Sequence, residues 1–371
     1  MGRSLTVVGL GNIGSHLVPL LGRMPEVDRL VLVDKGRYDR SNLYTQSMTP
    51  GEAGKSKARV QGLRLERTRP ALDVAVVGRP VEEVPLGQLR ADVILACVDS
   101  RAARQYLNQA ARRLGVSLID AGVLSDALLA RVSVFAPGCD HACLECTWDQ
   151  ADYDAIEQTY PCRGDAPDAA STGAPAHLGA LAAAVQALEC QAILCGRTRP
   201  AHGSFEVVVD AASRRQHVTR FARSAACRLP EHEPWDIRKL VNAPEQVTAQ
   251  QALALGSTRG SQSEGRLSLD GIPFVTGLRC LGCGRLAPTL ALRRSITARA
   301  CRSCGGRLTA SGADLVSCLA LDTLPVVPCG QSLQSLGFEA GDVFTIRRGD
   351  RARHFELDGV GSGRRPPARK A

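Results

Sequence analysis

The sequence predicts an α/β protein, a doubly wound and mostly parallel sheet, followed by a small cysteine-bearing module and a short β-rich piece. Three observations predict it. Strand-like and helix-like segments alternate through residue 135, the order that builds a parallel sheet with helices on both faces. The first such pair, "SLTVVGLGNIGSHLVPLL", carries glycines at Gly9, Gly11 and Gly14 between an apolar run and a helical face, a Rossmann-like turn in which backbone N–H groups approach a phosphate. Far downstream, Cys280 and Cys283, then Cys301 and Cys304, form two Cys-x-x-Cys knuckles. That spacing is a zinc ribbon.

Strands are expected at 5–9, 29–33, 73–77, 92–97, 116–120 and 130–135, and helices at 13–23, 53–69 and 101–114. Residues 138–172 break the alternation and hold four cysteines; they read as a long functional loop around a short helix. "HLGALAAAVQALECQAIL", 177–194, is apolar around most of its circumference and reads as a core helix. "SFEVVVD" and "RQHVTRFA" read as an antiparallel pair, and the polar stretch 256–266 as a linker. The expected organisation is a nucleotide-binding domain over 1–250, a linker and first β segment over 251–275, the ribbon over 276–312 and a β-rich module over 313–358. The basic tail 359–371 has no apolar periodicity and is expected to be disordered.

Composition excludes several classes. No run approaches the ~18 continuous apolar residues of a membrane span, and a strand begins within four residues of Met1, leaving no room for a signal peptide; a cytoplasmic protein is expected. Net charge is +9, but aromatics make up 4% of the chain, too few to interleave with the cations as nucleic-acid binding would want. An acidic partner protein accounts for the charge equally well. Fourteen cysteines in such a chain point to metal or catalysis rather than disulfides. Cys97, Cys190 and Cys195 lie in apolar patterns and read as small buried hydrophobes.

Asp34 follows Gly14 by 20 residues at a strand end, where a carboxylate suits the ribose hydroxyl of NAD or ATP alike; read more simply, it caps the next turn. The next stretch discriminates. "DKGRYDRSNLYTQSMTPGEAGKSKARV" is a polar segment that a hydride-transfer enzyme does not need. It resembles the ubiquitin-activating enzyme and ThiF-type adenylyltransferase superfamily, with Asp34 after the second strand, Ser41-Asn42-Leu43 beyond it, and Gly54-x-x-Lys57 opening a helix. Asp99 in "VILACVDS" and the stretch Gly173 to Glu189 match two further motifs, so the resemblance spans roughly 4–235.

The resemblance implies ATP as substrate, Mg²⁺, and adenylation of the C-terminal glycine of a small ubiquitin-like or sulfur-carrier protein by a homodimer, with a conjugating-enzyme-like protein as a possible further partner. Lys57 would neutralise phosphate oxygens, Asp99 would hold the Mg²⁺, and Asn42 would donate to a phosphate. Taken singly, Lys57 is also a solvated helix residue and Asp99 a helix cap. The family's Arg three residues after the Asn is Thr45 here, followed by Gln46; Arg37, Arg40 or Arg101 could supply the cation, and Arg3 the one that the family lends across its dimer.

The resemblance also implies a zinc at Cys143 and Cys146, completed by two ligands beyond the core helix, for which Cys227 and His232 are the candidates, with Cys139 or His141 as substitutes. The family's transfer cysteine falls at Ala169. Cys162, in the same loop and beside Arg163, is a candidate nucleophile, a candidate zinc ligand or a bystander. Two other functions stay open at this point: a catalytically weakened scaffold recruiting partners through its zinc modules, and an NAD-dependent oxidoreductase.

Overall fold

Strand β1 (Arg3–Val8) is the apolar run that opens the chain, and its Val7 pairs in parallel with Leu32 of β2 (Val27–Val33) and Leu95 of β4 (Val93–Ala96). The strands belong to a computed structural model that describes residues 2–159, 173–197, 203–229, 232–255, 265–320 and 330–358. Beyond β2 lies β3 (Asp73–Val77), and beyond β4 lies β5 (Ser117–Leu124), both parallel. Three antiparallel strands extend the sheet: β6 (Leu129–Phe135), β7 (Ser204–Asp210) and β8 (Arg215–Phe221). The order is β3-β2-β1-β4-β5-β6-β7-β8. The chain winds one way from β1 and the other way from β4, so a crevice opens at the C-terminal ends of these two strands, where α/β sheets bind ligands.

Helices flank the sheet: α1 (Gly14–Leu21), α2 (Lys57–Thr68), α3 (Arg101–Leu114), α4 (Gln150–Thr159) and α5 (Ala176–Leu194). Helix α2 starts at Lys57 rather than at 53. Gly54 has φ +80°, and the Ser56 hydroxyl accepts the Arg59 N–H at 3.4 Å, capping the first turn. Helix α5 is the core helix the sequence predicts. Its Leu178, Ala182, Ala183, Cys190 and Leu194 pack with Leu17, Val18 and Leu21 of α1 and with Ile119, Val132 and Val134 of the sheet. Helix α5 is long and apolar enough to cross a membrane, and one face of it is buried in that core. Its fully buried Gln186 donates to the Ala96 and Ile119 carbonyls, at 3.2 and 2.9 Å, and so stitches β4 to β5 without leaving a polar group unpaired.

The chain divides into two compact units, Met1–Val84 with Leu89–Trp235, and Pro85–Gln88 with Asp236–Ala371. The second starts earlier than residue 250 because β9 (Ile237–Lys239) pairs with a strand near the far end of the chain. After α6 (Ala249–Ala254) come β10 (Arg266–Leu269), β11 (Phe274–Cys280), β12 (Leu286–Leu292), β13 (Leu308–Thr309), β14 (Leu315–Val316), β15 (Val343–Arg348) and β16 (Arg351–Glu356). One sheet runs β10-β15-β16-β9; the other runs β12-β11-β13, with β14 also on β11. Phe274, Phe338, Phe344 and Phe355 form a chain of rings 5.6–6.1 Å apart. The ribbon strands and the terminal hairpin β15–β16 therefore share one apolar core. The tail 359–371 lies outside the described residues.

Candidate active site and metal centres

The glycines of the first turn do different work. A Cβ on Gly9, at φ +86°, would lie 2.5 Å from the Cys97 carbonyl oxygen, and one on Gly14 would lie 1.9 Å from the Gly9 oxygen. These two are required by the fold itself. A Cβ on Gly11 would meet nothing nearer than the Gln46 amide at 4.0 Å, so its absence leaves open space before the loop. Asp34 accepts the Leu10 and Gly36 N–H groups, each at 2.6 Å. The carboxylate thus ties the glycine turn to the end of β2 and caps the turn after its own strand, as the simpler expectation has it.

Lys57 opens α2, and its N–H donates to the Gly36 carbonyl at 3.0 Å. Its stem passes 3.6 Å from where a Gly36 Cβ would stand, a point 3.0 Å from Asp34 Oδ1. Its ammonium lies 5.9 Å from the centre of the Tyr38 ring, a cation–π contact. Asn42 is buried; its carboxamide oxygen takes the Asp39 N–H at 2.9 Å and leaves the amide nitrogen to donate. Asp99 is exposed beyond β4. Ser100, not Asp99, caps α3 by accepting the Ala103 N–H at 3.3 Å, so the simpler reading of Asp99 falls to its neighbour. Arg104 holds the Val98 carbonyl at 2.7 Å, fixing the loop one residue before Asp99.

Among the four candidate cations, Arg3 pairs with Asp92 at 2.8 Å, Arg37 donates to the Gly54 carbonyl at 2.9 Å, and Arg101 pairs with Asp152. Arg40, exposed in the 3-10 turn Arg40–Tyr44, has no side-chain partner among the described residues.

Several polar groups were not singled out by sequence. Asn12 donates to the Thr45 and Ala174 carbonyls at 2.7 and 2.9 Å, joining the glycine turn to the Asn42 loop and to the start of α5. Buried polar atoms without partners gather in the same two segments: Asn12 Oδ1, His16 Nε2, Thr45 Oγ1 and Gln46 Oε1. Each such atom costs about 1–3 kcal/mol if nothing binds it. Of these residues Gln46 lies 4.0 Å from the open space at Gly11, while Asn12 Oδ1 faces Gly179 of α5, where a Cβ would stand 1.9 Å from it. A triphosphate needs cations and hydrogen-bond donors, which the Lys57 ammonium and the Asn42 amide nitrogen are in kind. Asp120, fully buried, is held by Arg104 and by Arg131 at 2.8 Å, and Arg131 reaches Glu206 at 3.3 Å. The signal was present, since Asp120 is a lone acid inside the apolar run "SLIDAGV".

The cysteines assemble into two cages. Cys143, Cys146, Cys227 and His232 bring their ligand atoms within 4.8 Å of one another, as do Cys280, Cys283, Cys301 and Cys304. In the first cage Cys143 lies 3.8 Å from Cys146 and 3.7 Å from Cys227, sulfur to sulfur. A tetrahedron with ~2.3 Å Zn–S bonds has edges of about 3.8 Å, so the donor set fits zinc. His232 turns Nδ1 to the His141 carbonyl at 3.2 Å, leaving Nε2 to face Cys146; such a contact fixes the tautomer a metal needs. His141 thus supplies a carbonyl, not a ligand, and Cys139 stands outside the cage.

Helix α3 braces this cage. Asn108 accepts the Leu144 N–H at 2.9 Å, Arg112 donates to the Gly138 and Ala142 carbonyls, and buried Glu145 receives Gln105, Asn108, Gln109 and Tyr153 at 3.0–3.2 Å. The second cage is shallower. Cys283 and Cys304 are exposed, and knuckle N–H groups do the bracing: that of Gly282 points to the Cys280 sulfur at 3.3 Å. Hydrogen bonds from the Ser303 and Cys304 N–H groups pull the Cys301 thiol down to about 6, towards the thiolate a metal takes.

Other cysteines separate clearly. Burial pushes the Cys97 thiol up, and that of Cys190 to about 12, as inert core residues require. Cys195 is exposed at the end of α5, against expectation, because the helix closes there. Cys162 lies outside the described residues.

Comparison with known proteins bears on the family and the fold. The ubiquitin-like modifier-activating enzyme 5 of Oryza sativa subsp. japonica is 30% identical over 158 residues, 38% of this chain and 37% of that protein. Its counterpart from Dictyostelium discoideum is 28% identical over 162 residues, 38% and 41% of the two chains. The chain thus spans about two fifths of the length of the curated relatives it matches. E. coli MccB, solved with succinimide, shares the fold at a TM-score of 0.50 and 19% identity, over 61% of this chain and 66% of that one. The family profile described as ThiF matches residues 3–229, well over half the length, and the chain belongs to the ThiF family.

Proposed function

We propose that the chain catalyses ATP-dependent adenylation of the C-terminal glycine carboxylate of a small ubiquitin-like or sulfur-carrier protein. The carboxylate oxygen attacks the α-phosphorus, the bond from that phosphorus to the bridging oxygen breaks, and pyrophosphate leaves with the electron pair. The observation that supports this reading is the open space before Gly11 at the end of β1. Gly11 leaves room for a phosphate, the Lys57 stem lies beside Asp34, and Asp99 is exposed past the end of β4, with Ser100 rather than Asp99 capping α3. Lys57 neutralises charge on the phosphate oxygens, Asn42 donates through its amide nitrogen, and Asp34 accepts from the ribose. Asp99 would hold Mg²⁺, which would supply charge neutralisation to the phosphates. Arg40 is the cation best placed to replace the family Arg at Thr45.

The acyl group then passes to a thiol, whose sulfur attacks the acyl carbon and releases AMP. Cys162 or a thiol on a conjugating-enzyme-like partner fills this role, and a homodimer is the working assembly. Zinc in the first cage would hold the segment before α4 in place, and zinc in the second would fold the ribbon. The test is exchange of labelled pyrophosphate into ATP in the presence of a small carrier protein ending in glycine. Exchange is expected with the free C-terminus and absent with a C-terminal amide; exchange that ignores the carrier's end would contradict the reading. Cys162→Ser should keep exchange and lose any reducible thioester to the chain.

A further inference from the structure

We propose that the zinc-ribbon face of the second unit docks an acidic protein segment that carries a central apolar side chain. The inference stands apart from the adenylation reading and rests on charge. Between residues 279 and 312 the chain has seven arginines and no lysine, aspartate, glutamate or aromatic residue. Arg294 is buried and paired with Asp342, and it is the one arginine of the seven with an ion pair among the described residues. Arg279, Arg285, Arg293, Arg299, Arg302 and Arg307 are exposed.

Five of these six ring the sulfur cage. The carbonyls of Arg285 and Arg307 accept the N–H groups of Cys280 and Leu281 at 2.9 and 3.0 Å, and that of Arg299 accepts the Leu308 N–H at 3.0 Å. The Arg285 guanidinium donates to Ser303 at 2.6 Å, beside Arg302 in the second knuckle, while Arg279 reaches the Gly284 carbonyl at 3.5 Å. Four thiolates on a divalent ion leave two negative charges, fewer than the surrounding cations, so the face stays cationic. Arginine rather than lysine suits carboxylates, whose two oxygens match the guanidinium fork.

The apolar component selects the class of partner. Leu281, at the tip of the first knuckle, is 71% exposed, and Leu286 is 46% exposed. Against a phosphate backbone both would stay wet, and the face offers no aromatic platform for a base. Against a protein they cover an apolar side chain while the arginines take the acids around it.

The test uses the full zinc-loaded chain and fluorescence anisotropy with three probes. These are an Asp/Glu-rich peptide with a central Leu-Leu, the same peptide with Ser-Ser, and a DNA duplex. The Leu-Leu peptide is expected to bind best and to lose affinity with salt. Arg285→Glu with Arg302→Glu should weaken it roughly tenfold. Leu281→Ser should weaken it about threefold and leave the Ser-Ser peptide unchanged. The visible spectrum of the cobalt-substituted protein checks that the cage survives; if the double variant alters it, Leu281→Ser and Arg302→Ser decide. Preference for the duplex, equal binding of both peptides, or no binding of the Leu-Leu peptide would overturn the proposal.

Discussion

The two cysteine cages give a metal the same four-cornered fit with different support around them. The ribbon cage closes within 25 residues, and its bracing is backbone N–H groups of its own knuckles. The first cage draws Cys143 and Cys146 together with Cys227 and His232 from across α5, β7 and β8. Its sulfurs also accept backbone N–H groups, Ser224 on Cys146 and Leu229 on Cys227, but buried side chains add to these, with one carboxylate, Glu145, taking four donors. The difference teaches where a metal's binding energy goes. A local cage folds its own module, as zinc fingers do. A long-range cage closes a loop already framed by a large core and holds one face of it.

The largest effects should break the comparison outright. Cys301→Ser should remove one metal equivalent and strip amide protection from β11 and β12, while α3 keeps its protection in hydrogen exchange. Structural zinc is worth ~10–16 kcal/mol to small zinc-finger peptides. Since Phe274 and Leu292 at the far ends of β11 and β12 sit in the core shared with β15–β16, the loss should be greatest at the knuckle end of these strands. Cys227→Ser should also remove one equivalent, but with α5 and the parallel strands still protected and loss confined to residues 138–159; metal content and exchange checked together would show it. Glu145→Gln should cost about 2–3 kcal/mol by denaturant titration, since hydrogen bonds to a charged acceptor are worth about 1.5–3 each and an amide cannot take all four donors. Ser303→Ala, which removes only the exposed partner of Arg285, should stay within about 0.5 kcal/mol. A Ser303→Ala cost equal to that of Glu145→Gln would erase the distinction between the knuckle-braced cage and the one that buried side chains also brace.

The same contrast explains what could be read from sequence. The ribbon was legible because its ligands sit in one window with fixed knuckle spacing. For the first cage only Cys143-x-x-Cys146 is a local signal; Cys227 and His232 came from family resemblance, because the turn back through β7 and β8 that delivers them leaves no mark in spacing. The glycine turn, Asp34 and the alternation of strands and helices were visible because each is a short-range pattern. The helix-cap reading of Asp99 failed by one residue, since two adjacent residues, Asp99 and Ser100, can both cap and only geometry chooses. Asn12 was passed over because it occupies a variable position between two motif glycines; its hydrogen bonds to Thr45 and Ala174 span 33 and 162 residues. The boundary near 235 was hidden for a similar reason, because β9 finds its partner β16 more than a hundred residues on.

In the proposed reaction Lys57 and Asp99 face the phosphates from the two sides of the β1/β4 crevice. A crystal structure of the chain with magnesium and a non-hydrolysable ATP analogue tests it most directly. It should show the Lys57 ammonium within hydrogen-bonding distance of phosphate oxygens and an Asp99 oxygen on the metal or on its water, with the nucleotide before Gly11. Nucleotide bound there with both side chains turned away from the phosphorus atoms, or bound elsewhere, would contradict it.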